Sequence, residues 1–430
     1  MESLCHGPLA KGNRCRQSIL QPLRLANFSH FPLESHFTHL DPFLPIEGTN
    51  TMSTVVLTDV SKNIASDHAS IQSIGGVTAT LHTLQGGRRQ GVQLLELSNS
   101  RFHVSIIPTR GMGLWKARLD DLPVGWESPV KDGPVNPSFV NQAALGGLGW
   151  LEGFDEMMVR CGLTQNGPPS PVTEPFAIGL HGLIANRPAH FLAVHEEADR
   201  LIVEGHVDET CLFGMNLRLV TRITLLKDST RLEVEDEIIN MGNGMADLQL
   251  LYHWNFGRPW LDGGALFVSP AVEVIPRDKI AARGVNSYDI YDEPMVGYHE
   301  QAFFLKLKGE PDSNKTTVML RNDAGNKGLA LRFDLDQLPY FTLWKNTSGY
   351  QNGYVTGLEP ATNFPNPKPF EKTQGRVIQL MPGARHLAVS SLEVLPEKGD
   401  VDRVQHEIDR IRNGTKPFVH HEPVAPYAVV

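Results

Sequence analysis

The chain has 430 residues, 41% of them hydrophobic and 20% charged, a composition that supports a globule with a sizeable core. Its formal net charge is −9, from 39 basic against 48 acidic side chains, and no Lys/Arg-rich block occurs, so neither nucleic acid nor an anionic membrane is an expected partner. No apolar run reaches the ~20 residues that a membrane-spanning helix needs.

The four cysteines, Cys5, Cys15, Cys161 and Cys211, match no zinc or redox spacing. They read as free thiols of a reducing compartment, which gives a cytoplasmic location as the expectation. Residues 1–51 are rich in His, Pro and Phe and show no sustained period. They lack an apolar core of about 7–15 residues, so they read as a disordered extension and not as a secretory signal. The division expected is an extension over 1–51, one β-domain over 52–396, and a C-terminal helix and tail over 397–430.

From about residue 75 the hydrophobic period is 2. Strands are predicted over 77–84, 92–97 and 102–107. Pro108-Thr109-Arg110-Gly111-Met112-Gly113 then forms a turn with no helix after it, so it is not a dinucleotide loop. Arg110 there either bonds ligand hydroxyls or satisfies loop carbonyls. Residues 120–180 are the least regular, with a short helix predicted near 152–160 and Glu152, Asp155 and Arg160 as candidate ligands or mutual ion pairs. Leu180-His181-Gly182 opens a polar segment that continues through Asn186-Arg187-Pro188.

Strands resume over 190–195, 201–207, 216–226, 231–240 and 247–252. In the fourth, Glu233, Glu235 and Glu237 read as a solvated sheet face. Next comes Tyr252-His253-Trp254-Asn255-Phe256-Gly257-Arg258, a polar and aromatic cluster placed at a strand end. Further strands follow over 265–269, 302–307, 316–321, 329–334 and 340–344, with a long loop over 278–298. Gly357-Leu358-Glu359-Pro360 leads to two last strands, 375–380 and 385–395, joined as a hairpin at Pro382-Gly383. Val401, Val404, Ile408 and Ile411 recur at helical spacing before Gly414 and predict an amphipathic helix. Strands at short spacing without βαβ alternation indicate an all-β sandwich.

Three polar clusters carry the chemistry: His181 with Asn186 and Arg187; His253 with Asn255 and Arg258; and Glu359 with Thr362 and Asn363. Trp254, Trp260 and Trp344 accompany them. A histidine and a carboxylate in one cleft make an acid–base pair, and aromatic faces with amides suit a neutral carbohydrate. There is no Gly-X-Ser-X-Gly elbow, so α/β-hydrolase chemistry is not expected, and no His-Glu-X-X-His or other compact metal motif, so no metal site is expected. A non-catalytic sugar-binding or sensing protein remains open. So does a glycoside hydrolase or lyase, with Asp155 or Glu152 as second carboxylate.

With these residues in this order, the chain resembles the aldose 1-epimerase (galactose mutarotase-like) superfamily over about residues 75–396. It is most similar to a less characterised bacterial branch. Leu180-His181-Gly182, Tyr252-His253-Trp254-Asn255, Leu343-Trp344-Lys345 and Gly357-Leu358-Glu359-Pro360 carry the resemblance. It departs from the family in having Tyr, not Asn, before His253. It also has no clear counterpart of a hydroxyl-binding aspartate, for which Asp262, Asp278 and Asp292 are candidates. The resemblance implies a supersandwich of antiparallel strands, no cofactor and a sugar substrate. It implies that Glu359 and His253 are catalytic and that Arg110, His181 and Trp344 contact the sugar. Asn255, Arg187 and Asp155 complete the candidate site. The oligomeric state is not indicated.

Overall fold

The structure, a computed structural model, describes residues 53–170 and 176–430. The expectation for residues 1–51 lies outside the described residues.

Alternating side chains build two stacked antiparallel sheets, as the period-2 reading predicts. The first runs in the order Leu266–Val268, Lys315–Arg321, Gly328–Asp334, Arg385–Leu395, Arg231–Asn240, Asn216–Leu226, Arg200–Thr210, Phe191–Glu196, Ser53–Asp59 and Ile64–Ala65. The centre of the second runs Gln301–Leu307, Tyr340–Asn346, Val355–Ala361, Leu251–Phe256, Met158–Cys161 and Gly113–Leu119. Between the sheets lies the main core, to which the first sheet contributes Val203, Leu219 and Val234 and the second Val104, Trp254, Leu343 and Leu358. Each such side chain contributes on the order of 1.5–3 kcal/mol by leaving water.

Four central strands of the second sheet each have two buried faces. Met158, Tyr252, Trp254, Phe341, Leu343 and Leu358 enter the core between the sheets. Alternate residues of these strands, Val159, Cys161, Leu251, Val355 and Ala361, form a second cluster on the far side with Trp126, Trp150 and Phe154. The alternation thus places Trp254 in the core and sends His253 and Glu359 to the far side, where they line a cleft.

One buried polar network crosses the core. Arg160 donates to Asp236 Oδ1 at 2.9 Å, to Thr221 Oγ1 at 2.8 Å and to the Met112 carbonyl at 2.8 Å. Tyr252 Oη donates to Asp236 Oδ2 at 2.7 Å. Arg160 therefore belongs to the core and not to a ligand site.

Several boundaries differ from expectation. The run 247–252 is split into Ala246–Leu248 and Leu251–Phe256, so His253 lies within a strand and not at its end. The helix expected near 152–160 is a 3-10 turn, Gly149–Gly153, followed by the strand Met158–Cys161, because Val159 and Cys161 pack on one face while Met158 packs on the other. Pro382-Gly383 does not close a hairpin: Ile378–Leu380 pairs with Ala246–Leu248, whereas Arg385–Leu395 pairs with Arg231–Asn240 and Gly328–Asp334. The C-terminal helix is present over Lys398–Arg412 and buries Val401, Val404, Ile408 and Ile411, with Asn413 as its left-handed cap one residue before Gly414. Beyond it, Phe418–Val419 adds a parallel strand beside Ala271–Pro276, and Ala428 packs on Ile275, Phe304 and Phe364, so this stretch is docked.

No helix among the described residues is long and apolar enough to cross a membrane.

Candidate active site

The cleft holds about 680 Å³ and is lined by Trp150, Phe154, His181, His253, Trp344 and Glu359, with Arg277, Asp278, Glu300 and Thr342 among the further walls. Its floor is the far face of the strands Leu251–Phe256, Val355–Ala361 and Tyr340–Asn346. Neighbouring strands place His253 Nε2 3.1 Å from Glu359 Oε1. The contact lacks hydrogen-bond alignment, and Glu359 Oε1 has no hydrogen-bond partner among the described residues.

Gly357 makes this approach possible. A Cβ there would lie 2.5 Å from Glu359 Oε1 and 3.0 Å from His253 Cε1. Gly357→Ala should therefore displace both groups and lower turnover on any substrate of the cleft more than it lowers thermal stability, as paired activity and melting measurements would show.

The tautomer of His253 is set by Asn255. The Asn255 Nδ2 group donates to the carbonyls of Glu156 at 2.9 Å and His253 at 3.0 Å, which leaves its Oδ1 as the acceptor facing His253 Nδ1 at 2.6 Å. His253 Nδ1 thus carries a proton, and Nε2 faces Glu359. His181 is arranged alike: its Nδ1 lies 2.8 Å from the Asn166 carbonyl and must donate to it. His181 has φ +59°, and Gly182 beside it has φ +78° and abuts the carbonyls of Gln165 and Gly162. That backbone requirement accounts for the glycine of the His-Gly pair seen in the sequence.

Burial dominates the electrostatics. It lowers the His253 pKa to about 3, with a further push from nearby His181, while the bond to Asn255 opposes the shift. It lowers His181 to about 4, opposed by the bond to Asn166. Burial raises Glu359 well above the usual carboxylate range, partly countered by Arg277. Arg277 donates to Asp278 Oδ2 at 3.1 Å and to Glu300 Oε1 at 2.9 Å, and Trp344 Nε1 donates to Glu300 Oε2 at 2.6 Å.

These shifts set a pH dependence. Both histidines titrate lower in the folded chain than in the unfolded one, so below pH ~6.5 the unfolded state binds more protons and stability falls as pH drops toward 4 and then 3. Glu359 has the opposite sign and costs stability as pH rises above its ordinary value. Asp155, raised to about 7, has the same sign as Glu359 and offsets the histidines, so the comparison with His181→Gln is the test: as pH falls from 7 to 4 the variant's melting temperature should rise relative to that of wild type.

Not every candidate reaches the cleft. Arg110 is buried and engaged by Glu156 at 2.6 Å, Asn186 at 2.7 Å, the Val135 carbonyl at 3.0 Å and the Gly153 carbonyl at 3.1 Å. It braces loops and does not line the cleft. Asp155 lies outside the cleft, accepts from Trp115 Nε1 at 2.7 Å, and is pushed up to about 7 by burial. Arg187 does not line the cleft either, and Asn255 acts through His253. Glu152 is exposed and outside the cleft. Of the three aspartates considered, Asp278 lines the wall, where its Oδ1 caps the helix Lys279–Gly284. Trp150, Phe154, Arg277, Glu300 and Thr342 are cleft residues that the sequence reading does not single out.

Residues 89–394 match the family described as a domain of unknown function, DUF4432. The chain belongs to this family. A candidate aldose 1-epimerase from Klebsiella pneumoniae is 33% identical to this DUF4432 member; the alignment covers 87% of this chain and 99% of that one, with a TM-score of 0.84. A galactose 1-epimerase from Lactobacillus acidophilus aligns over 74% of this chain and 99% of its own, at 13% identity and TM-score 0.51. A galactose mutarotase-like protein from Clostridium acetobutylicum aligns over 72% and 97%, at 15% identity and TM-score 0.50. No curated protein matches the chain. The 33%-identical relative places this DUF4432 member among the aldose 1-epimerase-like proteins, and the two more distant structures share its fold, the supersandwich expected from its sequence.

Proposed function

We propose that this DUF4432 member is an isomerase that binds an aldose in the cleft and interconverts its anomers by proton transfer between the sugar, Glu359 and His253. The observation that carries this reading is the 3.1 Å pairing of His253 Nε2 with Glu359 Oε1 on the cleft floor. The family relationship to a candidate aldose 1-epimerase supports it.

With Nδ1–H committed to Asn255, the pair shares one mobile proton. In one arrangement Glu359 is a carboxylate and His253 an imidazolium; in the other, Glu359 is a carboxylic acid and His253 a neutral imidazole. Glu359 as carboxylate takes the anomeric hydroxyl proton while His253 gives its Nε2 proton to the ring oxygen. The C1–O5 bond breaks and a free aldehyde forms. Rotation about C1–C2 presents the other face of the aldehyde. Glu359 then returns its proton to the carbonyl oxygen as O5 attacks C1 and His253 recovers the proton from O5. Burial favours the neutral arrangement, which is the state that follows ring opening. Each well-placed transfer contributes about 10²–10⁴-fold.

His181 Nε2 has a lone pair for a sugar hydroxyl, and the indole of Trp344 offers an apolar face. Arg277, the guanidinium of the wall among the described residues, is already paired with Asp278 and Glu300, which suits a sugar without an anionic group. Asp155 and Glu152 lie outside the cleft, so neither provides the second carboxylate of a hydrolase. The direct test is anomer exchange: NMR of freshly dissolved α-D-galactose and α-D-glucose should show faster equilibration of at least one of them with the protein than in buffer. Rates equal to those in buffer for both sugars would count against the reading.

A further inference from the structure

Three cleft-lining residues present a buried polar atom with no hydrogen-bond partner among the described residues: Trp150 Nε1, Thr342 Oγ1 and Glu359 Oε1. Trp150 and Thr342 are each 1% exposed. An unpaired buried polar group costs roughly 1–3 kcal/mol, so three around one cleft need a reason. Residues of the same types elsewhere differ: Trp254 Nε1 in the core and Thr347 Oγ1 are likewise unpaired among the described residues, outside the cleft, whereas others close their own bonds. Thr356 Oγ1 donates to the Trp344 carbonyl at 2.7 Å, and Trp126 Nε1 and Trp260 Nε1 donate to backbone carbonyls at 3.0 and 2.6 Å.

Thr342 is directly opposite Glu359 in the pairing of Tyr340–Asn346 with Val355–Ala361. Facing residues of an antiparallel pair have Cβ atoms about 4.5–5.5 Å apart. Both side chains point into the cleft, yet they form no hydrogen bond with each other. The indole N–H can only donate, the threonine hydroxyl can donate or accept, and the carboxyl group of Glu359 accepts as carboxylate and donates as acid. A ligand hydroxyl complements all three, because it both donates and accepts. An ammonium has no lone pair for Trp150.

We propose that Thr342 and Trp150 are substrate-binding residues that recognise sugar hydroxyls next to the carboxylate of Glu359 and so set which sugar is accepted. This deepens the epimerase reading of the cleft and rests on it for the identity of the ligand as a sugar. A site that bonds a hydroxyl penalises an analogue lacking it, since the protein atom is again left unpaired.

The test compares Thr342→Val with Thr342→Ser and Trp150→Phe. Binding of D-galactose, D-glucose and their 2-, 3-, 4- and 6-deoxy analogues is measured by NMR titration, beside anomer exchange and thermal unfolding. Wild type should bind one deoxy analogue on the order of 10-fold more weakly than its parent. Thr342→Val should bind the parent that much more weakly and cease to discriminate against that analogue, at an unchanged or higher melting temperature, because it removes an unpaired hydroxyl from a buried site. Thr342→Ser should keep the discrimination, and Trp150→Phe should lose it for a different position of the ring. Discrimination that persists unchanged in Thr342→Val would overturn the role of Thr342, as would equal weakening for every analogue with a lower melting temperature. Wild type that binds neither hexose would overturn the proposal. Wild type that binds with this selectivity but exchanges no anomers would remove the epimerase reading and leave the recognition role supported.

Discussion

Glu359→Gln should reduce catalysed anomer exchange by about 10²–10⁴-fold, to near the rate in buffer. The substitution keeps the size of the side chain, so the floor of the cleft is retained, but the amide neither takes nor returns a proton at neutral pH. Glu359 sits inside the strand Val355–Ala361 with neighbours paired on both sides, which fixes its position independently of its charge. Burial raises its pKa because the carboxylate form is the one penalised; the amide escapes that penalty, so the variant should melt no lower than wild type. Sugar binding by NMR titration should persist. Exchange at the wild-type rate would remove Glu359 from the mechanism, and loss of binding with loss of activity would point to a binding role instead. His253→Gln, judged in the same assay, separates the two halves of the pair.

The second large effect concerns stability. Asp236→Ala should cost about 3–5 kcal/mol in unfolding free energy by urea titration, because it leaves Arg160 charged and buried without its carboxylate. The side chains of Arg160 and Asp236 are both 0% exposed. The same deletion strips the acceptor from Tyr252 Oη. Replacing the pair together, as Arg160→Met with Asp236→Leu, should recover most of the loss, since the unpaired charge is what costs. A loss under about 1 kcal/mol in Asp236→Ala would show that water reaches Arg160. The network also bears on the cleft: Tyr252 adjoins His253, and Arg160 faces Tyr252 across the pairing of Met158–Cys161 with Leu251–Phe256. Anomer exchange per folded molecule in Asp236→Ala reports how far that bracing matters.

What the sequence reveals follows from the range of the interactions concerned. Alternation is local, so strands such as Asn216–Leu226 and Arg231–Asn240 are readable from it with their ends. The strand Met158–Cys161 is not, because it is buried on both faces and Val159, Arg160 and Cys161 show no alternation. The pairing of His253 with Glu359 is legible only through the family resemblance, since the two lie 106 positions apart and meet by strand order. Arg110 misleads because a turn arginine reads alike whether it faces a ligand or loop carbonyls; here four partners occupy it. Thr342 is within reach of the sequence, since it shares the face of Trp344 two residues on. Arg277 and Glu300 are not, because the fold of the 278–298 segment brings them to the wall together.

The strand Leu251–Phe256 with its neighbours has a consequence for redesign. Even positions of that strand serve the core between the sheets, and the odd position His253 serves the cleft. In Tyr340–Asn346, separated from it by the strand Val355–Ala361, the parity is reversed, with Phe341 and Leu343 in the core and Thr342 and Trp344 on the cleft. The two roles are therefore written in separate letters of each segment. Libraries that vary Thr342 and Trp344 while holding Phe341 and Leu343 fixed would change ligand preference on an unaltered scaffold. A single-residue insertion in either strand would exchange the two alphabets at once and destroy both.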